Sequence, residues 1–112
     1  MKQTISYSDF EKIDFRVGTI LDVQDFPEAK NPAYKLIVDF GKEIGIKKSS
    51  VHIKNLYRKD ELIGKQVVAV VNFPPKQIGP FVSEVLVTGF DGNGGVVLTT
   101  IDKPVDNGKS LY

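Results

Sequence analysis

The chain has 112 residues, 41% hydrophobic and 26% charged, with a net charge of +1 at neutral pH. That length supports one core, so a single domain over residues 1–112 is expected. The absence of cysteine excludes disulfides, thiolate metal sites and a cysteine nucleophile. No apolar run approaches the ~20 residues of a bilayer crossing. Met1-Lys2-Gln3-Thr4-Ile5-Ser6 turns polar too early for a secretory leader, which points to the cytoplasm.

Ser6 with Asp9 and Ser8 with Glu11 stand in capping-box spacing and predict a short helix over residues 7 to 12. So short a helix persists only if Tyr7, Phe10 and Ile13 pack against something. From Phe15 the period becomes two: Phe15, Val17, Leu21 and Val23 point one way, Arg16, Asp22 and Gln24 mostly the other. Gly18 inside that strand predicts a bulge or tight bend. After a turn-rich loop from Phe26 to Pro32, Tyr34, Leu36, Val38 and Phe40 alternate with Lys35 and Asp39 in a second strand ending at Gly41. Lys47 to Ile53 reads as a third strand, with Val51 and Ile53 inward and Ser50, His52 and Lys54 outward. Asn55 to Gly64 reads as a short helix or helical loop closed by glycine.

Val67-Val68-Ala69-Val70-Val71 is a β-branched apolar run that fits a strand buried on both faces. Pro74 and Pro75 forbid further ladder bonds, so Asn72, Phe73 and Lys76 emerge at a rigid strand exit. Such an exit suits gripping a ligand and lacks the parts for chemical conversion. Val82 to Phe90 is the expected neighbour of the valine strand. Asp91-Gly92-Asn93-Gly94-Gly95 predicts a hairpin before Val96 to Ile101, and Asp106-Asn107-Gly108 a last turn before Leu111 and Tyr112. Glycine bends and a helix between the third and fourth strands fit an all-β, five-stranded Greek-key barrel with small helices added, the OB-fold. An SH3-like barrel is the alternative and needs no helix there.

Lys47, Lys48, Lys54, Arg58, Lys59 and Lys65 crowd the middle and Lys76 follows, while most acids lie in the flanks. Such a centre either meets phosphate or is a solvated surface. His52, the only histidine, has no clustered ligand residues for a metal. Ser49, Ser50 and Ser83 lack a G-x-S-x-G context, so neither catalysis nor a cofactor is expected. Asn72 either bonds a ligand or caps its strand; Phe73 either meets a base or peptide side chain or plugs the core. Arg16 either pairs with a carboxylate such as Asp39 or lines a groove.

Asp14-Phe15-Arg16-Val17-Gly18-Thr19-Ile20 resembles the D-hydrophobe-R-V-G-x-I opening of the tRNA-binding OB domains. These domains occur in structure-specific bacterial tRNA-binding proteins, at the C-terminus of many methionyl-tRNA synthetases and in the endothelial monocyte-activating polypeptide. Tyr34-Lys35-Leu36, Val38 to Gly41, Leu62-x-Gly64 with Val67, and Asn72 to Lys76 extend the resemblance from about Phe10 to the end. Lys47 to Ser50, Val71 to Ile78 and Phe81 to Val87 are similar to the CsaA-type subgroup of small export-related chaperones. Glu84-Val85-Leu86 departs from the S-x-G-M segment of the wider family, part of its tRNA-contacting surface.

The resemblance implies a homodimer that binds unfolded or precursor polypeptides and meets the secretion machinery. Its tRNA-binding-type domain makes tRNA the other candidate ligand. Polypeptide contacts are expected at Asn72, Phe73, Lys76 and Phe81. RNA contacts are expected at Arg16, Lys47, Lys48, Ser50, His52, Asn72, Lys76 and Ser83. Tyr7, Phe10, Ile13, Val105, Leu111 and Tyr112 lie outside the core strands. They either close the barrel ends or bury against a twin, which the resemblance favours.

Overall fold

One long strand organises the molecule. In the computed structural model, which describes residues 1–112, β1 (Phe15–Asp25) pairs antiparallel with two neighbours in succession. Its first half lies on β4 (Gln66–Val70), from Phe15 opposite Val70 to Thr19 opposite Gln66. Its second half lies on β2 (Tyr34–Asp39), from Thr19 opposite Asp39 to Asp25 opposite Tyr34. A register shift between Ile20 and Asp22 marks a bulge, which adds the twist that a coiled sheet needs.

β3 (Ile46–Val51) extends this sheet beyond β2, and β7 (Leu86–Val87) beyond β4, giving the order β3-β2-β1-β4-β7. Two hairpins are added: β5 (Lys76–Ile78) with β6 (Phe81–Ser83), and β8 (Gly89–Gly92) with β9 (Gly95–Leu98). The helices are single turns: α1 (Tyr7–Glu11), α2 (Gly41–Ile44) and α3 (Lys59–Leu62). With α3 between β3 and β4, the five-stranded coiled sheet is an OB-fold barrel.

Every adjacent pair in the sheet is antiparallel, so β3 and β7 run in the same direction where the barrel closes. Glu84 joins them from both ends of the residue. Its N–H donates to the Lys48 carbonyl at 2.8 Å, and its Oε1 accepts from the Lys48 N–H at 3.0 Å. Ser83 Oγ accepts from the Ser50 N–H at 3.1 Å. Side chains thus supply acceptors that a ladder strand would have supplied from its backbone.

Inside, Ile20, Leu36, Val38, Phe40, Leu62, Val67 and Ala69 are fully covered. The alternation read from Tyr34 to Phe40 holds residue by residue. Buried Tyr34 donates its hydroxyl to the Tyr57 carbonyl at 2.9 Å, and the Tyr57 hydroxyl accepts from the Leu98 N–H at 3.0 Å. The capping box at Ser6 and Asp9 forms as expected. Gly64 closes the α3 turn at φ +88, a conformation costly to residues with a side chain.

Four expectations need correction. The phase of β1 is wrong at Leu21, which is 44% exposed while Ile20 is fully buried, because the bulge shifts the alternation there. Gly18 is not the bulge. It is a close approach, since a Cβ there would lie 2.6 Å from Val38 Cγ1 and 2.7 Å from Phe40 Cε1. The valine run is not fully buried on both faces: Val67, Ala69 and Val70 are buried but Val68 and Val71 are half-buried. Finally, Val82 to Phe90 is no single strand. Its pieces pair with three different neighbours, β5, β4 and β9.

The segment around Gly108 adds pairing on the free side of β1. Gly108 N–H donates to Val17 O at 2.7 Å, Val17 N–H to Lys109 O at 3.0 Å, and Leu111 N–H to Phe15 O at 3.0 Å. Gln66 holds Val105 from both sides, with its amide donating to Val105 O at 2.7 Å and accepting from Val105 N–H at 3.2 Å.

The bulge makes a direct stability prediction. Ile20→Ala is expected to cost about 2–5 kcal/mol in urea unfolding, and Leu21→Ala less than about 1 kcal/mol. The opposite ranking would restore the phase read from the sequence.

Candidate functional site

Two surfaces gather the candidate residues. The first is a trough of about 340 Å³ between the outer face of β3, the β5–β6 hairpin and the approach to β7. It brings together Ser50, His52, Phe73, Lys76 and Ser83 from the expected set, with Ile78, Glu84, Val85 and Leu86. Phe73 is not a core plug. It is 50% exposed, as is Leu86, so two large apolar side chains stand open beside the same trough.

Ile78, Glu84 and Leu86 are additions that the sequence reading missed. Alternation within Val85-Leu86-Val87 carried the signal, since buried Val85 and Val87 put Leu86 on the outer face. His52 faces this trough on the exposed side of the barrel, its Nδ1 3.2 Å from the Pro32 carbonyl. A carbonyl only accepts, so that contact is a hydrogen bond when Nδ1 carries the proton.

Several expected site residues are engaged elsewhere. Phe81, expected in polypeptide contact, is buried with Phe26 and Ala33 in a small satellite core, its ring centroid 5.3 Å from that of Phe26. Lys48 lies on the ring, with Nζ 5.4 Å from the Phe81 centroid. Asn72 acts as a clamp between chain segments: its Nδ2 donates to Lys12 O at 2.7 Å, and its Oδ1 accepts from the Asp14 N–H at 3.0 Å. It sits away from the trough, facing the termini.

Arg16 is also apart from the trough. Its Nε donates to Asp14 at 2.6 Å and its Nη1 to Glu43 at 3.3 Å and to Gly108 O at 3.0 Å. The Asp14 hydrogen bond raises its pKa, and Asp39, its expected partner, instead accepts from the Gly41 N–H. Arg16 therefore pins the segment around Gly108 to β1.

The basic centre read from the sequence is partly neutralised by folding. Lys59 reaches Asp25 at 2.8 Å and Lys54 reaches it at 3.5 Å, while Arg58 reaches Asp60 at 3.0 Å. The Lys59 hydrogen bond holds Asp25 below the usual carboxylate range and raises Lys59. A lowered carboxylate stabilises the fold above its ordinary pKa, and that contribution is lost as pH falls through the lowered value. Lys47, Lys48 and Lys76 make no ion pair; Lys76 lines the trough, and Lys48 lies against the Phe81 ring. No three His, Cys, Asp or Glu side chains converge as a metal site, and no helix is long and apolar enough to cross a membrane.

The second surface is formed by the two termini and sets exposed apolar side chains among polar ones, Glu11, Lys12, Asp14, Asn72 and Ser110. Tyr7, Phe10, Ile13, Phe15, Leu111 and Tyr112 surround a hollow of about 410 Å³. Phe10 sits between Tyr7 and Phe15 with centroid spacings of 6.1 and 6.0 Å. None of the α1 residues is buried, and Tyr7, Leu111 and Val105 are 72%, 55% and 41% exposed.

Comparison with known proteins places this geometry. The family model described as "Putative tRNA binding domain" matches residues 15–110. The methionine–tRNA ligase of Nanoarchaeum equitans is 41% identical over 108 residues, which cover 96% of this chain but 13% of that enzyme. The chain therefore spans a small part of the length of the curated relatives it matches. Among solved structures, the CsaA chaperone protein of Picrophilus torridus is 55% identical with a TM-score of 0.93, covering 97% of this chain and 100% of that one. Chaperone CsaA of Bacillus anthracis strain Ames is 43% identical with a TM-score of 0.92, covering 98% and 100%. The chain belongs to the family of tRNA-binding OB domains, and over its whole length it is built like the CsaA proteins.

Proposed function

We propose that the protein is a homodimeric chaperone that captures extended segments of unfolded or precursor polypeptides in the trough beside β3. The observation that carries this reading is the pair of half-exposed apolar side chains, Phe73 and Leu86, flanking one trough. Apolar surface held open at a rigid strand exit gains free energy by covering a client's apolar side chains. Lys76 and His52 at the rim orient the segment without closing the trough. Its likeness to two CsaA chaperones supports the reading. In the cell the clients are precursors in the cytoplasm on their way to the secretion machinery, and the protein performs no chemistry on them.

Dimerisation is part of the proposal. Both termini expose rings and aliphatic groups around one hollow, and a five-residue helix such as α1 gains little stability by itself. A two-fold pairing through this surface would cover α1 and duplicate the trough, so that one long client could bridge both sites.

A second reading, binding of tRNA, is favoured by the family match and by the unpaired Lys47, Lys48 and Lys76. It competes for the same trough, and ionic strength separates the two. Phosphate contacts release counterions and weaken steeply with salt, whereas apolar capture does not.

Capture of an unstructured apolar peptide, followed by fluorescence anisotropy, is expected to change little between ~50 and ~200 mM salt. Phe73→Ala should weaken it by about 1 kcal/mol, since half of the ring is already covered. Steep salt loss with no effect of Phe73→Ala would overturn polypeptide capture. For tRNA the expectation is weak, salt-sensitive binding that Lys48→Glu or Lys76→Glu abolishes. Asp25→Asn, which frees Lys54 and Lys59, should strengthen it and steepen its salt dependence; salt-resistant nanomolar binding would make tRNA the principal ligand. Sedimentation is expected to give twice the 12.4 kDa chain mass, and Phe10→Asp with Leu111→Asp to give the monomer. A monomeric native protein would remove the duplicated trough.

A further inference from the structure

The barrel closure leaves part of its seam open. Along a paired strand, backbone groups turned away from the neighbour recur every second residue. On β3 these belong to Lys48 and Ser50, and the next in the series is His52. Lys48 is satisfied by Glu84 on both its N–H and its carbonyl, and the Ser50 N–H by Ser83 Oγ. There the series stops. The His52 N–H and carbonyl have no partner in the chain, and the Ser50 carbonyl accepts only a long contact of 3.4 Å from Ser49 Oγ. Across the gap, the Thr88 N–H donates to Val68 O at 3.0 Å, so by the same alternation the backbone of Val87 turns toward β3.

Between these two edges lies a cavity of about 320 Å³, lined by residues Ser50 to Ile53 and Leu86 to Gly89 and further by Val96 and Leu98. No Lys, Arg, Asp or Glu lines it.

We propose that this open seam binds the main chain of an extended polypeptide, which adds as a short strand along β3 beyond Ser50. One client residue exchanges backbone hydrogen bonds with the Ser50–His52 edge, and an apolar side chain next to it enters the cavity beside Val96 and Leu98. The occupant follows from the chemistry of the seam. It needs a partner that carries amide donors and carbonyl acceptors together with aliphatic side chains, and it offers no cation to a phosphate. A polypeptide meets those terms and an RNA strand does not. The inference rests on the reading of the protein as a polypeptide-capturing chaperone and states how capture can ignore client sequence: the backbone is common to every client.

The test uses the full chain and an unstructured apolar peptide synthesised as a series, each member N-methylated at one amide. Strand addition predicts a loss of about tenfold at one position, or at positions two apart, with the residues between them unaffected. Hydrogen exchange at the His52 amide should slow when the parent peptide binds. His52→Pro, which removes that amide, should not bind the parent peptide. Because the proline variant can misfold, the peptide series decides. If the parent peptide binds but every methylated member binds equally well, or the His52 amide is not protected, main-chain docking is overturned while polypeptide capture stands. If the parent peptide does not bind at all, capture itself fails and docking falls with it. Protection of the His52 amide by tRNA instead of peptide would make the seam an RNA contact and overturn the proposal.

Discussion

Closing a coiled sheet of five strands brings its first and last members together side by side in the same direction, and on this requirement the rest of the molecule turns. Parallel neighbours diverge easily when one of them is only two residues long, as β7 is. Glu84 meets the difficulty with one residue, its amide and its carboxylate both bound to the backbone of Lys48. Ser83 repeats the device at Ser50. Buried or half-buried strand groups left without partners are costly, so these side chains hold the barrel shut over the stretch they reach. Past them it parts.

The position of the trough follows from that closure. The β5–β6 hairpin is short and comes directly before Glu84, so the residues at its base are carried to the flank of β3. Phe73 enters it from the rigid exit of β4, where the prolines prevent further pairing. The terminal surface is built by different elements, α1 and the segment after Gly108, clamped through Asn72 and Arg16. Changes at one surface therefore need not disturb the other.

Much of this was legible in the sequence where one physical rule dominated. Tyr34 to Phe40 was read correctly because a strand with one face to the core shows a clean period of two. The capping box at Ser6 and the hairpin turn after Asp91 are local signals, and both form. Errors came where distant parts of the chain intervened. The bulge that moves Leu21 outward exists because β1 must serve two neighbours, which its own residues do not announce. Burial of Phe81 and exposure of Phe73 depend on whether Phe26 arrives to cover a ring. Asn72 reads from the sequence as either a ligand contact or a strand cap, because the partners it clamps, Lys12 and Asp14, lie 60 and 58 residues away in the chain. The lysine cluster read as a basic face because Asp25, which holds Lys54 and Lys59, is remote in sequence.

The pairing of Gly108 and Lys109 with Val17 carries a consequence for assembly. Contacts between segments this far apart in the chain form late, because a long loop must close first. Until they form, the Phe15–Val17 edge lies bare next to the rings of the N-terminal segment, an invitation to edge-to-edge aggregation. A chain truncated before Gly108 would keep that edge permanently unguarded. The chain thus carries a sticky edge of its own, and covers it last.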